Sequence, residues 1–123
     1  MFNHLSFGVS DLDRAAGFYE RALAPLGYVR VFTKGHAVGF GEPGGEDRLA
    51  LFAKPQLAAA PGPGFHLAFN APNREAVDAF HAAALAAGGK DEGVPGLRTH
   101  YGPTYYAAFV IDLDGYKLEA LHQ

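Results

Sequence analysis

Phe65-His66-Leu67-Ala68-Phe69 is nearly a copy of His4-Leu5-Ser6-Phe7 near the N-terminus, and the pair decides how the chain is read. Both are short, β-prone runs headed by a histidine. Side chains alternate faces along a strand, so His66 and Ala68 point one way and Leu67 and Phe69 the other. His4 and Ser6 divide from Leu5 and Phe7 in the same manner. A sheet with one bulky apolar face and one face of histidine plus small residues covers a helix on the first side and leaves a hollow on the second. The function is expected in that hollow.

The echo extends beyond the strands. Sliding residues 4–27 by 62 positions onto 66–89 aligns His4 with His66, Leu5 with Leu67, Phe7 with Phe69 and Phe18 with Phe80. It also aligns Ala22 with Ala84, Leu23 with Leu85, Ala24 with Ala86 and Gly27 with Gly89. Identities falling on apolar and turn positions indicate an internal duplication. Each copy reads strand, helix, strands. In the first, Ser10 with Asp13 resembles a capping box, Ala15, Tyr19, Ala22, Leu23 and Leu26 recur at helical spacing, and Gly27 ends the helix. In the second, Asn73 is the expected N-cap, Val77, Phe80, Ala84 and Leu85 form the stripe, and Gly88-Gly89 closes it.

Strands are expected at Tyr28–Thr33, Ala37–Gly41 and Leu49–Ala53, with a turn at 41–47, and in the second copy at Thr104–Ile111 and Tyr116–Leu121 around Asp112-Leu113-Asp114-Gly115. Lys90–Pro103 reads as a long Gly/Pro-containing loop. The expected organisation is a single domain over 1–123, with one module at 1–53, a proline-containing connector at 54–64 and a second module at 65–123. A shift of 69, larger because of the longer loop, aligns Phe40 with Phe109 and Leu49 with Leu118. Under it Ala50 becomes the counterpart of Glu119. The copies share the histidine, but only the second carries the acid.

Bulk properties narrow the function classes. The 123 residues suffice for one compact core, and 49% hydrophobic with 19% charged residues fits a soluble globular protein. A net charge of −3 leaves no basic footprint for nucleic acid. The absence of cysteine excludes disulfides, thiolate metal sites and thiol nucleophiles, and fits a reducing, cytoplasmic setting. No leader or membrane-spanning run is evident. His36, His81 and His122 read as structural or surface histidines, and Arg30, Lys34 and Arg48 as a solvated basic patch.

If the two modules pack about a pseudo-twofold axis, His4, His66 and Glu119 meet on the concave face. Two imidazoles and one carboxylate form a facial triad suited to Fe2+ or another divalent ion, with positions left open to substrate. Around it, Arg98, His100, Tyr101, Tyr105 and Tyr106 are rich in groups that clamp carboxylates or donate to an oxyanion. Phe52, two residues from Ala50, is a candidate apolar wall.

His4-Leu5-Ser6-Phe7-Gly8-Val9-Ser10-Asp11-Leu12, the Phe18-Tyr19 pair and Asp112-Leu113-Asp114-Gly115-Tyr116-Lys117-Leu118-Glu119 resemble the glyoxalase/bleomycin resistance/extradiol dioxygenase group, the vicinal oxygen chelate superfamily. Leu113 stands where the closing motif of that group usually has proline. The resemblance implies an α+β fold of two tandem βαβββ modules forming a curled mixed sheet around a metal and substrate cavity. It carries over His4, His66 and Glu119 as ligands of one divalent ion (Fe2+, Mn2+, Zn2+ or Ni2+), and implies a homodimer. Glyoxalase I-type members use a fourth ligand where this chain has Ala50, so the three-ligand pattern is closer to the dioxygenase branch.

The expected function is therefore metal-dependent chemistry on a small vicinal-oxygen substrate, of dioxygenase type or of glyoxalase-like lyase or isomerase type. Glu119, Tyr106 and His100 are the candidate catalytic groups, and Phe52, Arg98, Tyr101 and Tyr105 the candidate substrate contacts. The alternatives are a non-catalytic small-molecule binding protein of the bleomycin resistance type, and a structural protein with vestigial ligands.

Overall fold

A computed structural model describes residues 1–56 and 60–123, so part of the connector, residues 57–59, lies outside the described residues. The first module contains β1 (Leu5–Val9), α1 (Leu12–Leu23), a single tight turn at Ala24–Leu26, β2 (Val29–Lys34), β3 (Ala37–Gly41) and β4 (Leu49–Ala53). The second contains β5 (Leu67–Asn70), α2 (Arg74–Ala86), β6 (Lys90–Leu97), β7 (Tyr106–Ile111) and β8 (Lys117–His122). Each forms a four-stranded mixed sheet, in the orders β1-β4-β3-β2 (sheet A) and β5-β8-β7-β6 (sheet B). Tandem βαβββ modules are thus observed, with the two sheets separate rather than closed into one. No helix among the described residues is long and apolar enough to cross a membrane.

Most local expectations from the sequence hold, and the departures have simple causes. Asn73 caps α2 by accepting from the Ala76 amide at 2.8 Å. On α1 the cap is Asp11, which accepts from the Arg14 amide at 3.1 Å, in place of Ser10. The Ser10 hydroxyl instead donates to Asp114 of the second module at 2.6 Å. Gly27 ends the first helical segment with φ 90°, and its conformational counterpart is Gly88 with φ 101°, one residue before the aligned Gly89. A β-carbon at either would strain that left-handed backbone.

The stretch 90–97, expected to lie in a loop, is the edge strand β6. Its pairing with β7 slips between Asp91 and Gly93 and again between Gly93 and Gly96. These irregularities and Pro95 erase the period-two pattern from the sequence, yet an edge strand tolerates both.

Each helix covers one face of its sheet. Ala15, Tyr19, Ala22, Leu23 and Leu26 are all buried, with Val9, Phe40 and Leu51 opposite. In the second module Val77, Phe80 and Ala84 are buried against Val110, Leu118 and Ala120. Leu85 is half-exposed, and His81 replaces it in the buried stripe with an ion pair to Asp91 at 2.9 Å. Each fully buried large apolar side chain contributes roughly 1.5–3 kcal/mol, so the helix–sheet layers supply the main driving force.

The modules join on their helix sides. Tyr19 donates to the Asp112 carboxylate, and the Tyr116 hydroxyl donates to the Gly8 carbonyl at 2.8 Å. The Phe7 and Tyr116 rings lie 4.1 Å apart. Asp112 also accepts from the amides of Asp114 and Tyr116, which ties the Asp112–Gly115 turn into a latch on the first module. Burial drives the Asp112 carboxyl above its ordinary pKa, against the opposing effect of these three hydrogen bonds.

Candidate active site

The strand register fixes what each sheet presents on its open face. In sheet A Ser6 stands beside Ala50, and in sheet B Ala68 stands beside Glu119. The first strands are related by 62 residues and the last by 69, so Ala50 and Glu119 occupy equivalent places. The intervening strands require a shift of 70, because Gly39 pairs with Ala50 and Phe109 with Glu119. The alignment of Phe40 with Phe109 is therefore corrected by one residue. Phe40 is buried on the helix side, whereas Phe109 lies on the open face beside His66.

Glu119 is 1% exposed, and both of its oxygens are engaged. Oε2 lies 3.1 Å from His66 Nε2, and Oε1 accepts from the Tyr105 hydroxyl at 2.6 Å. His66 precedes β5 and is exposed, so the pair joins a buried carboxylate to an accessible imidazole. Tyr105 is held protonated well past the ordinary phenol range, first by desolvation and then by its bond to Glu119. The phenol is thus a standing donor to Oε1, while Oε2 faces the imidazole.

The other expected site residues separate into distinct places. Tyr101 lies between His100 and Tyr105, with ring centroids 4.1 Å and 5.2 Å away, in an exposed aromatic row running outward from Glu119. Arg98 lies over the Phe109 ring at 5.6 Å. Tyr106 does not reach this face: its hydroxyl donates to Asp78 of α2 at 2.6 Å and Arg74 covers its ring. The role expected of Tyr106 is corrected on that ground, since alternation along the strand turns Tyr106 to the helix side and Tyr105 to Glu119.

Phe52 lines the hollow of sheet A, about 530 Å³, together with His4, Ser6, Phe32, Asp47 and Ala50. His4 also borders a crevice of about 630 Å³ between the modules, which includes His66, Tyr28, Phe40, Phe65 and Phe69. The His4 ring is hydrogen-bonded to Asn3 at 2.7 Å. Among the described residues no three His, Cys, Asp or Glu side chains are grouped closely enough to hold a metal ion. Within one chain His66 and Glu119 come together, and His4 does not join them.

Lys117 also stands on this face, outside the set of residues expected from the sequence. It lies two residues before Glu119 on β8, with Nζ 5.0 Å from the Phe109 ring. Period-two alternation from Glu119 was the available signal. The remaining histidines are structural or peripheral: His122 Nδ1 lies 3.0 Å from the Ala71 carbonyl, and His36 sits in the turn between β2 and β3. The expected basic patch is dispersed, with Arg30 paired to Glu20 at 2.7 Å, Arg48 bonded to the Asn3 carbonyl and Lys34 over Phe32.

This architecture matches solved structures over nearly the whole chain. A glyoxalase/bleomycin resistance protein from Albidiferax ferrireducens is 35% identical with a TM-score of 0.85, covering 100% of this chain and 98% of that one. A glyoxalase-related enzyme from Fulvimarina pelagi shares the fold at 21% identity and TM-score 0.77, covering 100% of this chain and 88% of that one. A fosfomycin resistance protein from Listeria monocytogenes does so at 16% identity and TM-score 0.71, covering 98% and 91%. No curated protein matches the sequence. The family model of the glyoxalase/bleomycin resistance protein/dioxygenase superfamily matches residues 1–120, and the chain belongs to that superfamily.

Proposed function

We propose that the chain is a metal-dependent enzyme acting on a small substrate with vicinal oxygens, and that two copies assemble each site. The observation that carries this reading is the buried Glu119 carboxylate held between His66 at 3.1 Å and the Tyr105 hydroxyl at 2.6 Å. A carboxylate and an imidazole brought together on the open face of a sheet are donors that a divalent ion takes. His66 and Glu119 would hold the ion from one chain, and His4 would complete the triad from the partner chain. Exposed Phe2 and Leu5 beside His4 supply apolar surface for that association.

The bound ion would act as a Lewis acid toward the paired substrate oxygens. The protein's part is to position and to manage protons. Tyr105 fixes the Glu119 carboxylate in one rotamer and keeps one oxygen occupied, so the other faces His66. Tyr101 and His100 extend this row to solvent, where His100 can exchange a proton with substrate. Phe52 and Phe32 of the opposing sheet A hollow would form the apolar wall.

Two measurements test the reading. Protein purified without chelator should bind about one divalent ion per chain, and His66→Ala should abolish binding. Mixed dimers of His4→Ala with His66→Ala should then recover about a quarter of the wild-type ion content, because half the dimers are mixed and each has one intact site. Recovery of none would place all ligands within one chain. A second reading is non-catalytic binding of a small molecule, favoured by the aromatic lining of the crevice between the modules. Ligand binding unchanged by chelation and by His66→Ala would support it over the first.

A further inference from the structure

The open face of sheet B carries two cations on a single aromatic ring beside the His66–Glu119 pair. The Arg98 guanidinium lies 5.6 Å and Lys117 Nζ 5.0 Å from the Phe109 centroid. That ring is 6.2 Å from the His66 ring. Register produces the arrangement. Phe109 stands directly opposite Glu119, and Lys117 shares the Glu119 face one side-chain row away, roughly 7 Å along the strand.

Arg98 reaches the ring because β6 has glycine opposite Phe109. A β-carbon at Gly93 would lie 3.1 Å from Phe109 Cδ2 and 3.2 Å from Arg98 Nη2. Arg98 Nη2 donates to the Val94 carbonyl at 2.7 Å, which fixes the side chain across its own strand and leaves other N–H donors free. Neither cation is neutralised: the ion pairs among the described residues are Arg30–Glu20, His66–Glu119 and His81–Asp91. Each cation–π contact is weak at these partly exposed positions, and the two like charges repel. An oxyanion taken between them gains charge-assisted hydrogen bonds and removes that repulsion.

We propose that Arg98 and Lys117, carried on the Phe109 ring, form an anion subsite selecting substrates with an acid group in addition to the oxygens held near His66 and Glu119. The acid group is a carboxylate or a phosphoryl oxyanion on a short chain, since the subsite is one side-chain row from Glu119. This names a substrate class for the proposed site and rests on that reading, but anion capture itself requires neither a metal nor a second chain.

The test uses chelator-treated full-length protein, titrated with inorganic phosphate and separately with glutarate, with NMR shifts of Phe109, Lys117 and Arg98 as the readout. Saturable shifts with at least one probe are expected, and the stronger probe identifies the acid group. Lys117→Met and Arg98→Met should each weaken binding about tenfold, Lys117→Arg should retain it, and Lys34→Met on sheet A should leave it unchanged. Absence of saturable shifts with both probes would overturn the proposal, as would affinity unaffected by Lys117→Met and Arg98→Met together. Mn2+ binding by Lys117→Met should not fall below that of wild type, since the variant removes a repelling charge. Failure of wild type to bind Mn2+ with phosphate or glutarate capture intact would sink the metal reading alone.

Discussion

The two modules have the same strand order and the same pairing of first with last strand, yet their open faces, which share a leading histidine, differ at the last strand and its neighbours. Sheet A presents His4, Ser6 and Ala50 where sheet B presents His66, Ala68 and Glu119. A further exchange occurs one strand over. Phe32 on β2 pairs with Gly39 on β3, whereas Gly93 on β6 pairs with Phe109 on β7. Each sheet thus carries one ring over one glycine, with the ring moved by one strand. In sheet B this brings the ring next to the last strand and its acid, and in sheet A it leaves a hollow lined by both polar and apolar side chains. Duplicated frameworks keep the buried layer, where a change costs packing, and diverge on the open layer, where it does not.

Replacing Glu119 by alanine makes sheet B resemble sheet A and is expected to have the largest effect. Divalent-ion affinity measured by calorimetry should fall by at least about a hundredfold, beyond the tenfold to hundredfold range of supporting residues. The metal-free fold should be little changed, because the imidazole left behind, His66, is exposed and hydrated. Wild-type affinity in this variant would exclude Glu119 from the site.

The glycine exchange makes a graded prediction. A β-carbon at Gly39 would fall 2.3 Å from Phe32 Cε1 and 2.8 Å from Asp47 Cβ, while at Gly93 its neighbours lie at 3.1 Å or beyond. Gly39→Ala should cost about 2–3 kcal/mol in urea denaturation. Gly93→Ala should cost under about 1 kcal/mol, because the Arg98 tip can move and the unfolded chain loses entropy. Equal costs would show that the two Phe-over-Gly pairs are packed alike.

Neighbouring tyrosines give the next contrast. Tyr105→Phe deletes the hydroxyl on Glu119 and should weaken ion binding about tenfold, the lower end for a residue supporting a ligand. Tyr106→Phe deletes only the bond to Asp78 and should leave ion binding at the wild-type value. A reversed result would mean that β7 presents its other face to the site.

The smallest expected effect is a pH dependence at the latch between the modules. Because burial raises the Asp112 pKa, the folded chain retains this proton to higher pH than the unfolded chain does. Its contribution to stability should therefore be greatest below the ordinary aspartate pKa, decline as pH rises through the folded value, and stay level above it. Urea denaturation between about pH 3.5 and 6.5 should show this slope in wild type and lose it in Asp112→Asn.

The repeat, both helices and seven of the eight strands are legible in the sequence because the residues that signal them are those that pack. Histidine-headed strands, Asn73 at its cap and the stripes ending at Leu26 and Ala84 follow from alternation and helical spacing. The strand β6 is not legible, because Gly93, Pro95 and Gly96 read as turn residues and only pairing with β7 makes them a strand. The Phe40–Phe109 alignment fails by one residue because the connections between the last two strands of each module differ in length. Tyr105 and Tyr106 are adjacent and chemically alike, so alternation shows only that they face opposite ways.

The sequence by itself determined the duplicated α+β architecture, the equivalence of Ala50 and Glu119, and the presence of one acid and two repeated histidines. These depend on short-range spacing and on identities within the repeat. Tertiary structure alone decided that the modules join on their helix sides and that the open sheets stay separate. It also decided that Glu119 meets His66 and Tyr105 without His4. The physical reason is that side-chain alternation sets which face a residue occupies, while long-range packing sets which faces meet.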